Sequence, residues 1–94
     1  DVIITGLEEF ENIEVFSLYP NPNNGKFTLV LEGQDIENLE LSIFNVLGQE
    51  LYTEGLNYSG GRWSKRYDFD FAGGTYILQL RSGGKVLYKK VVVD

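Results

Sequence analysis

Residues 62–71 alternate by type. Trp63, Tyr67, Phe69 and Phe71 take the odd positions, with Lys65 the exception, and Arg62, Ser64, Arg66, Asp68 and Asp70 the even ones. A strand sends successive side chains to opposite faces, so this run predicts one aromatic, buried face and one charged, wet face. The same period recurs over Lys26–Glu32, where Phe27, Leu29 and Leu31 oppose Lys26, Thr28 and Glu32, with Val30 an apolar exception. Leu39, Leu41 and Ile43 oppose Glu40 and Ser42, and the phase breaks at Phe44 and Val46, which predicts a bulge or a strand covered on both faces. Tyr76, Leu78 and Leu80 oppose Thr75 and Gln79. Glu14–Tyr19, Gln49–Glu54 and Val86–Val93 read as three further strands.

Turn chemistry separates these runs. Pro20-Asn21-Pro22-Asn23-Asn24-Gly25 is the strongest signal, because each Pro fixes its own φ and biases its predecessor away from the helical region. Asn24-Gly25 suits the positive φ of a tight turn. Gly33-Gln34-Asp35 is a second turn, Asn45-Val46-Leu47-Gly48 predicts a hairpin, Gly55–Gly61 a loop, Ala72-Gly73-Gly74 a break, and Ser82-Gly83-Gly84-Lys85 a second hairpin. Residues 1–13 mix apolar and acidic positions and read as a linker or edge segment, with a helical turn open to Leu7–Ile13. The expected organisation is therefore a segment 1–13 followed by one domain, 14–94. Seven short strands with turns between them, at a spacing of about 8–14 residues, predict an all-β fold: an immunoglobulin-like antiparallel β-sandwich, with a small barrel as the alternative.

Composition narrows the chemistry. Ninety-four residues make one small domain with a single core and no deep cavity. The absence of His and Cys excludes a Cys/His zinc site, a disulfide framework, a thiol nucleophile and a Ser-His-Asp triad; it fits an extracellular or envelope chain that does not rely on disulfides. A net charge of −6 argues against phosphate neutralisation, so no nucleic-acid partner is expected. The charge is uneven: residues 1–54 carry −10 and residues 55–94 carry +4. Interleaved halves would attract one another; a basic end gathered on one edge would offer a patch to a partner. No apolar run reaches the ~18–20 residues of a membrane-spanning helix, so no direct membrane insertion is expected. The start at Asp1, without Met or a signal-peptide pattern, predicts a piece cut from a longer protein.

Candidate reaction centres are few. Asp68 and Asp70 share a strand face at about 6–7 Å, a separation at which paired carboxylates serve retaining glycosidases, but an alternating solvent face explains them more simply. Asp35, Glu37 and Glu40 crowd a loop without a calcium-loop pattern, and Asn21, Asn23 and Asn24 are read as a turn before a cation site. Gly73-Gly74 and Gly83-Gly84 open no helix and are not phosphate loops. Tyr58 or Trp63 could stack on a sugar if exposed, although Trp63 falls on the apolar face of its strand. No enzyme activity and no cofactor are expected.

Three landmarks in order carry a resemblance: Tyr19-Pro20-Asn21-Pro22-Asn23-Asn24-Gly25-Lys26-Phe27; then Leu41-Ser42-Ile43-Phe44-Asn45-Val46-Leu47-Gly48-Gln49-Glu50-Leu51; then Gly74-Thr75-Tyr76-Ile77-Leu78-Gln79-Leu80 followed by Lys89-Lys90-Val91-Val92-Val93. Together they resemble the type A C-terminal sorting domain of the type IX secretion system of Bacteroidota, over about residues 14–94. The resemblance implies a non-catalytic, immunoglobulin-like tag on a secreted passenger. It implies passage through the periplasm to the cell surface or medium. The implied partners are an outer-membrane shuttle protein, a translocon and a sortase-like peptidase that cuts the tag off. The residues it marks for recognition or motif are Pro20, Asn21, Pro22, Gly25, Gly48, Gly74, Tyr76, Lys89 and Lys90. Asn45 departs from the Asp of many members. Tyr76 is expected to bury its ring and bond a nearby backbone group, as in a tyrosine corner. The last strand, if at an edge, would offer backbone groups to a partner, with Lys89 and Lys90 steering an acidic receptor or guarding the edge against aggregation. An accessory adhesive or carbohydrate-binding module of the same fold is the alternative.

Overall fold

The computed structural model describes residues 13–34, 38–58, 60–82 and 84–94. Seven strands follow one another: β1 (Ile13–Tyr19), β2 (Lys26–Gly33), β3 (Leu39–Asn45), β4 (Glu50–Leu56), β5 (Gly61–Asp68), β6 (Gly74–Ser82) and β7 (Lys85–Val93). They make two antiparallel sheets, β1-β2-β5 and β4-β3-β6-β7. The chain crosses between sheets after β2, β4 and β5, as expected of an immunoglobulin-like sandwich rather than a barrel.

The period-two pattern sets which side chains meet. Leu29 and Leu31 from one sheet face Leu41, Ile43, Leu78, Leu80, Leu87 and Val91 from the other, all buried in one cluster. Each such side chain stabilises the fold by about 1.5–3 kcal/mol. Trp63 packs against this cluster. The phase break at Phe44 is a bulge: the β3–β4 register shifts between Ile43 and Phe44. Both expected hairpins form, with Asn45–Gly48 turning β3 into β4 and Ser82 opposite Lys85 at the β6–β7 end.

Strand limits differ from the expected ones chiefly in two regions. β5 leaves the ladder at Asp68, because its partner β2 begins only at Lys26; beyond that pair, the Phe69 amide donates to the Gly25 carbonyl at 2.8 Å. The loop expected over 55–61 is shorter, since Gly55 and Leu56 still pair with Glu40 and Leu39, and Gly61 already pairs with Gly33. Of the expected segment 1–13, only Ile13 is described, and it opens β1. The helical turn considered for Leu7–Ile13, the acidic positions Asp35 and Glu37, and Gly83 lie outside the described residues.

The two oppositely charged halves of the chain interleave. Three ion pairs join a base from the C-terminal half to an acid from the N-terminal half: Arg62 with Glu32 at 3.6 Å, Lys65 with Glu54 at 2.5 Å, and Arg81 with Glu40. The first links exposed side chains across β2 and β5 and adds little. The second joins β4 to β5, and so one sheet to the other.

Gly25 is required twice over. Its φ of +100° lies where L side chains are strained, and a Cβ there would overlap the Phe69 carbonyl oxygen. Gly25→Ala is therefore expected to lower unfolding stability by about 2–4 kcal/mol, combining backbone strain with overpacking. Urea denaturation checks this; a loss below about 0.5 kcal/mol would show that the turn yields freely.

Candidate functional site

Residues 20–24 do more than reverse the chain between β1 and β2. They cross to the other sheet and lie along the outer edge of β7. The Asn23 amide donates to the Val92 carbonyl at 2.9 Å, and the Asp94 amide donates to the Asn23 carbonyl at 2.7 Å, forming a parallel bridge between Asn23 and Val93. Asn21 adds a two-sided contact: its Nδ2 donates to the Lys90 carbonyl at 2.9 Å, and its Oδ1 accepts from the Val92 amide at 2.9 Å. Asn23 is only 4 % exposed. Its side chain accepts from the Gly25 amide at 2.8 Å and donates to the Pro20 carbonyl at 3.0 Å, so it shapes the turn while its backbone holds the strand. Tyr19-Pro20 and Asn21-Pro22 are both cis peptides.

This arrangement gathers the sequence landmarks at one end of the sandwich. Gly74 pairs with Val93 and Tyr76 with Val91 across β6–β7, and Asn45, at the base of the β3–β4 turn, pairs with Tyr76. Asn21, Gly74 and Tyr76 therefore lie against the last residues of β7, with Pro20, Pro22 and Gly25 in the turn that carries Asn21 and Asn23 there and Gly48 on the hairpin at the same end. The Tyr76 ring is buried and its hydroxyl donates to the Ala72 carbonyl at 2.5 Å, the expected corner. Gly48 has a φ of +86°, and its amide donates to the Asn45 carbonyl at 3.0 Å.

Lys89 and Lys90 part company. Alternation puts Lys89 on the core-facing side of β7, between Leu87 and Val91. Its ammonium reaches out to donate to the Phe16 carbonyl on β1 at 3.0 Å and lies 5.2 Å from the Phe16 ring centroid. It ties the two sheets along one seam. Lys90 points to solvent and makes no ion pair among the described residues. The edge position expected for the last strand holds, since β7 ends its sheet. The edge is not free throughout, however: the turn already occupies the Lys90 carbonyl and the outward groups from Val92 to Asp94.

The opposite seam, between β4 and β5, is closed by Glu54. Its carboxylate accepts from Tyr52 Oη at 3.0 Å, Tyr67 Oη at 2.9 Å and Lys65 Nζ at 2.5 Å. Partial burial alone would push this carboxyl up, but the hydrogen bonds from Lys65, Tyr67 and Tyr52 outweigh it and hold its pKa below the ordinary Glu value. The Tyr67 phenol is pushed up, first by burial and then by its bond to Glu54. From Tyr67 the rings continue through Phe69 and Phe71 to Tyr76, with successive centroids 5.6, 4.6 and 4.8 Å apart, linking this seam to the tyrosine corner.

The remaining candidates resolve against chemistry of their own. Tyr58 is no platform for a sugar: it is buried and its hydroxyl donates to the Gly61 carbonyl at 2.7 Å. Trp63 belongs to the core margin. The Asn23 and Asn24 side-chain oxygens accept backbone amides at Gly25 and Lys26, and that of Asn21 accepts Val92, as a turn rather than a cation site would have it. Glu40 is paired with Arg81. Asp68 lies at the exposed end of β5 opposite Lys26, and Asp70 beyond it is exposed as well.

Two residues of this site escaped the sequence reading as site residues. Asn23 carried a local signal, an Asn two positions before Gly, which is the spacing of an Asx-turn. Glu54 carried none, because two of its three partners, Lys65 and Tyr67, come from another strand eleven and thirteen residues away, and only Tyr52 is on its own strand.

A family model described as the secretion system C-terminal sorting domain matches residues 17–94. No curated protein matches the chain.

Asn21→Ala removes both side-chain contacts with β7 while leaving the core intact. The Val92 amide is then expected to exchange with solvent at least tenfold faster, with global stability changed by about 1 kcal/mol or less. Unchanged exchange at Val92 would mean that the turn does not hold the strand. Glu54 supplies a pH signature. Its folded pKa lies below its unfolded value, so its stabilisation is complete above the ordinary carboxylate range, about pH 4–5, and is lost as pH falls through the folded value. Urea midpoints of wild type and Glu54→Gln should therefore differ at pH 7 and converge towards pH 3; a constant difference would assign the effect to packing.

Proposed function

The chain belongs to the family of type IX secretion system C-terminal sorting domains, and we propose from that premise that it is a non-catalytic address tag carrying a passenger across the outer membrane. Membership implies interaction with the secretion machinery and delivery to the cell surface or the outside. The finer reading has the fusion cross the periplasm, an outer-membrane shuttle protein receive the tag from the translocon, and a sortase-like peptidase remove it. Residues 14–94 form the tag, and the residues before them a linker to the passenger.

The observation that carries this reading is the family match over residues 17–94, from within β1 to the last residue of β7 and beyond it to Asp94. It takes in both partners of the turn-to-strand contact. The absence of His and Cys supports a tag without a reaction centre, as does the commitment of the Glu54 carboxylate to Tyr52, Tyr67 and Lys65. In this reading Pro20, Asn21, Pro22 and Gly25 hold the last strand in register, Gly74 and Tyr76 form its base, and Gly48 shapes the neighbouring hairpin. Lys89 joins the sheets and Lys90 is the charge offered to a partner.

The test is export of a periplasmic fluorescent reporter fused ahead of residues 1–94, in a bacterium with the type IX system and in the same strain lacking its translocon. Surface or medium fluorescence in the first and periplasmic retention in the second is expected. Mass spectrometry of the exported reporter should find the tag removed only where the peptidase is present. Export independent of the translocon would refute the proposal. Deleting Lys89–Asp94 is a poor control, because it takes Val91 and Val93 out of the core.

A further inference from the structure

The two most exposed large apolar side chains among the described residues are neighbours. Leu47 is 87 % exposed and Val46 is 72 % exposed, both at the tip of the β3–β4 hairpin. The backbone beneath them is tightly organised. Asn45 Oδ1 accepts from the Leu47 and Gln49 amides, each at 3.0 Å. The Asn45 amide donates to the Gln49 carbonyl at 3.0 Å, and its Nδ2 donates to Gln49 Oε1 at 3.0 Å. Folding gains nothing from holding two aliphatic side chains in water on a rigid turn, whereas binding gains from a contact already ordered before the partner arrives.

Beside the tip lies a groove of about 580 Å³ on the outer face of the four-stranded sheet, lined by Phe44, Val46, Ile77, Gln79 and Tyr88 among others. One row of residues crosses this face in register: Glu50 opposite Phe44, Phe44 opposite Ile77, and Ile77 opposite Lys90. The row has an acid at one end, two apolar side chains in the middle and a base at the other end. Neither Glu50 nor Lys90 has an ion-pair partner among the described residues. Farther along the same two strands, Glu40 and Arg81 neutralise each other.

We propose that the Val46-Leu47 tip and this groove are the surface by which the domain docks onto a protein of the export machinery, one with an apolar pocket for the tip and a base and an acid placed to meet Glu50 and Lys90. The inference rests on the sorting function proposed above and adds where on the molecule the partner is met. A protein occupant fits the charges better than a lipid surface. The hairpin brings Glu50 and no Lys or Arg, and the chain carries −6, so anionic headgroups would repel it. The outward edge of β7 near Lys90 is already taken by Asn21, which leaves the sheet face as the open side at this end.

The fold does not use the tip, so the test separates folding from recognition. Val46→Ser with Leu47→Ser, in the full chain fused to the reporter, should keep the urea midpoint of wild type and reduce export at least tenfold. Charge reversal at both ends of the row, Glu50→Lys with Lys90→Glu, should also keep the midpoint and reduce export about fivefold or more. If the wild-type fusion itself is not exported, the sorting function fails and this inference with it. If wild type is exported and the tip variant matches it, the docking surface alone is refuted. The purified chain is also mixed with vesicles of phosphatidylethanolamine and phosphatidylglycerol and floated on a density gradient. Wild type should stay behind; flotation of wild type but not of the tip variant would assign the tip to the membrane and overturn the protein partner.

Discussion

The crossing of residues 20–24 from one sheet to the edge of the other is the contact on which the rest of this domain depends. Asn23 makes it possible. A buried amide is tolerated only when its polar atoms are satisfied, and here the side chain bonds Gly25 and Pro20 while the backbone bonds Val92 and Asp94. Gly25 follows because no larger residue fits against the Phe69 carbonyl. The outcome is a mutual dependence between a turn near the start of the described chain and the strand at its end.

The two open seams of the sandwich are closed by different means. On the β1–β7 side, the polar turn and the Lys89 ammonium bind backbone carbonyls. On the β4–β5 side, one carboxylate gathers two phenols and an ammonium, backed by a file of stacked rings. A small sandwich has edges that invite pairing with other chains, and the first device, which occupies backbone groups of β7 and β1, reduces what those edges offer. Recognition by simple strand addition at the end of β7 would have to displace the turn first.

That constraint moves attention from the strand edge to the sheet face. Asn23, Gly25 and Tyr76 are buried in the end of the molecule from which the hairpin tip projects, whereas Pro20, Asn21, Pro22, Gly48 and Gly74 reach its surface. The apolar surface at this end includes the exposed Val46-Leu47 tip, with Phe44 and Ile77 half-buried beside it and Lys90 exposed at the end of their row. In this arrangement the turn at residues 20–24 holds the end of β7, and the hairpin tip and the sheet face beside it are left open.

Strand identity, the two hairpins, the bulge at Phe44 and the buried faces of β2, β3, β5 and β6 were legible in the chain, because a period of two and a turn residue are local properties. So was the Tyr76 corner, through the family likeness. The end of β5 was not, because it is set by where β2 begins. Nor was the division between Lys89 and Lys90: adjacent in sequence, they separate only when alternation meets a particular sheet edge, which sends one across the seam and the other into solvent. Tyr58, Asn23 and Glu54 took their roles from strands distant in sequence. Periodicity along the chain therefore determined which segments would be strands and which faces would be buried; only the packing of one sheet on the other decided which polar groups would be consumed in closing the seams and which would remain for a partner.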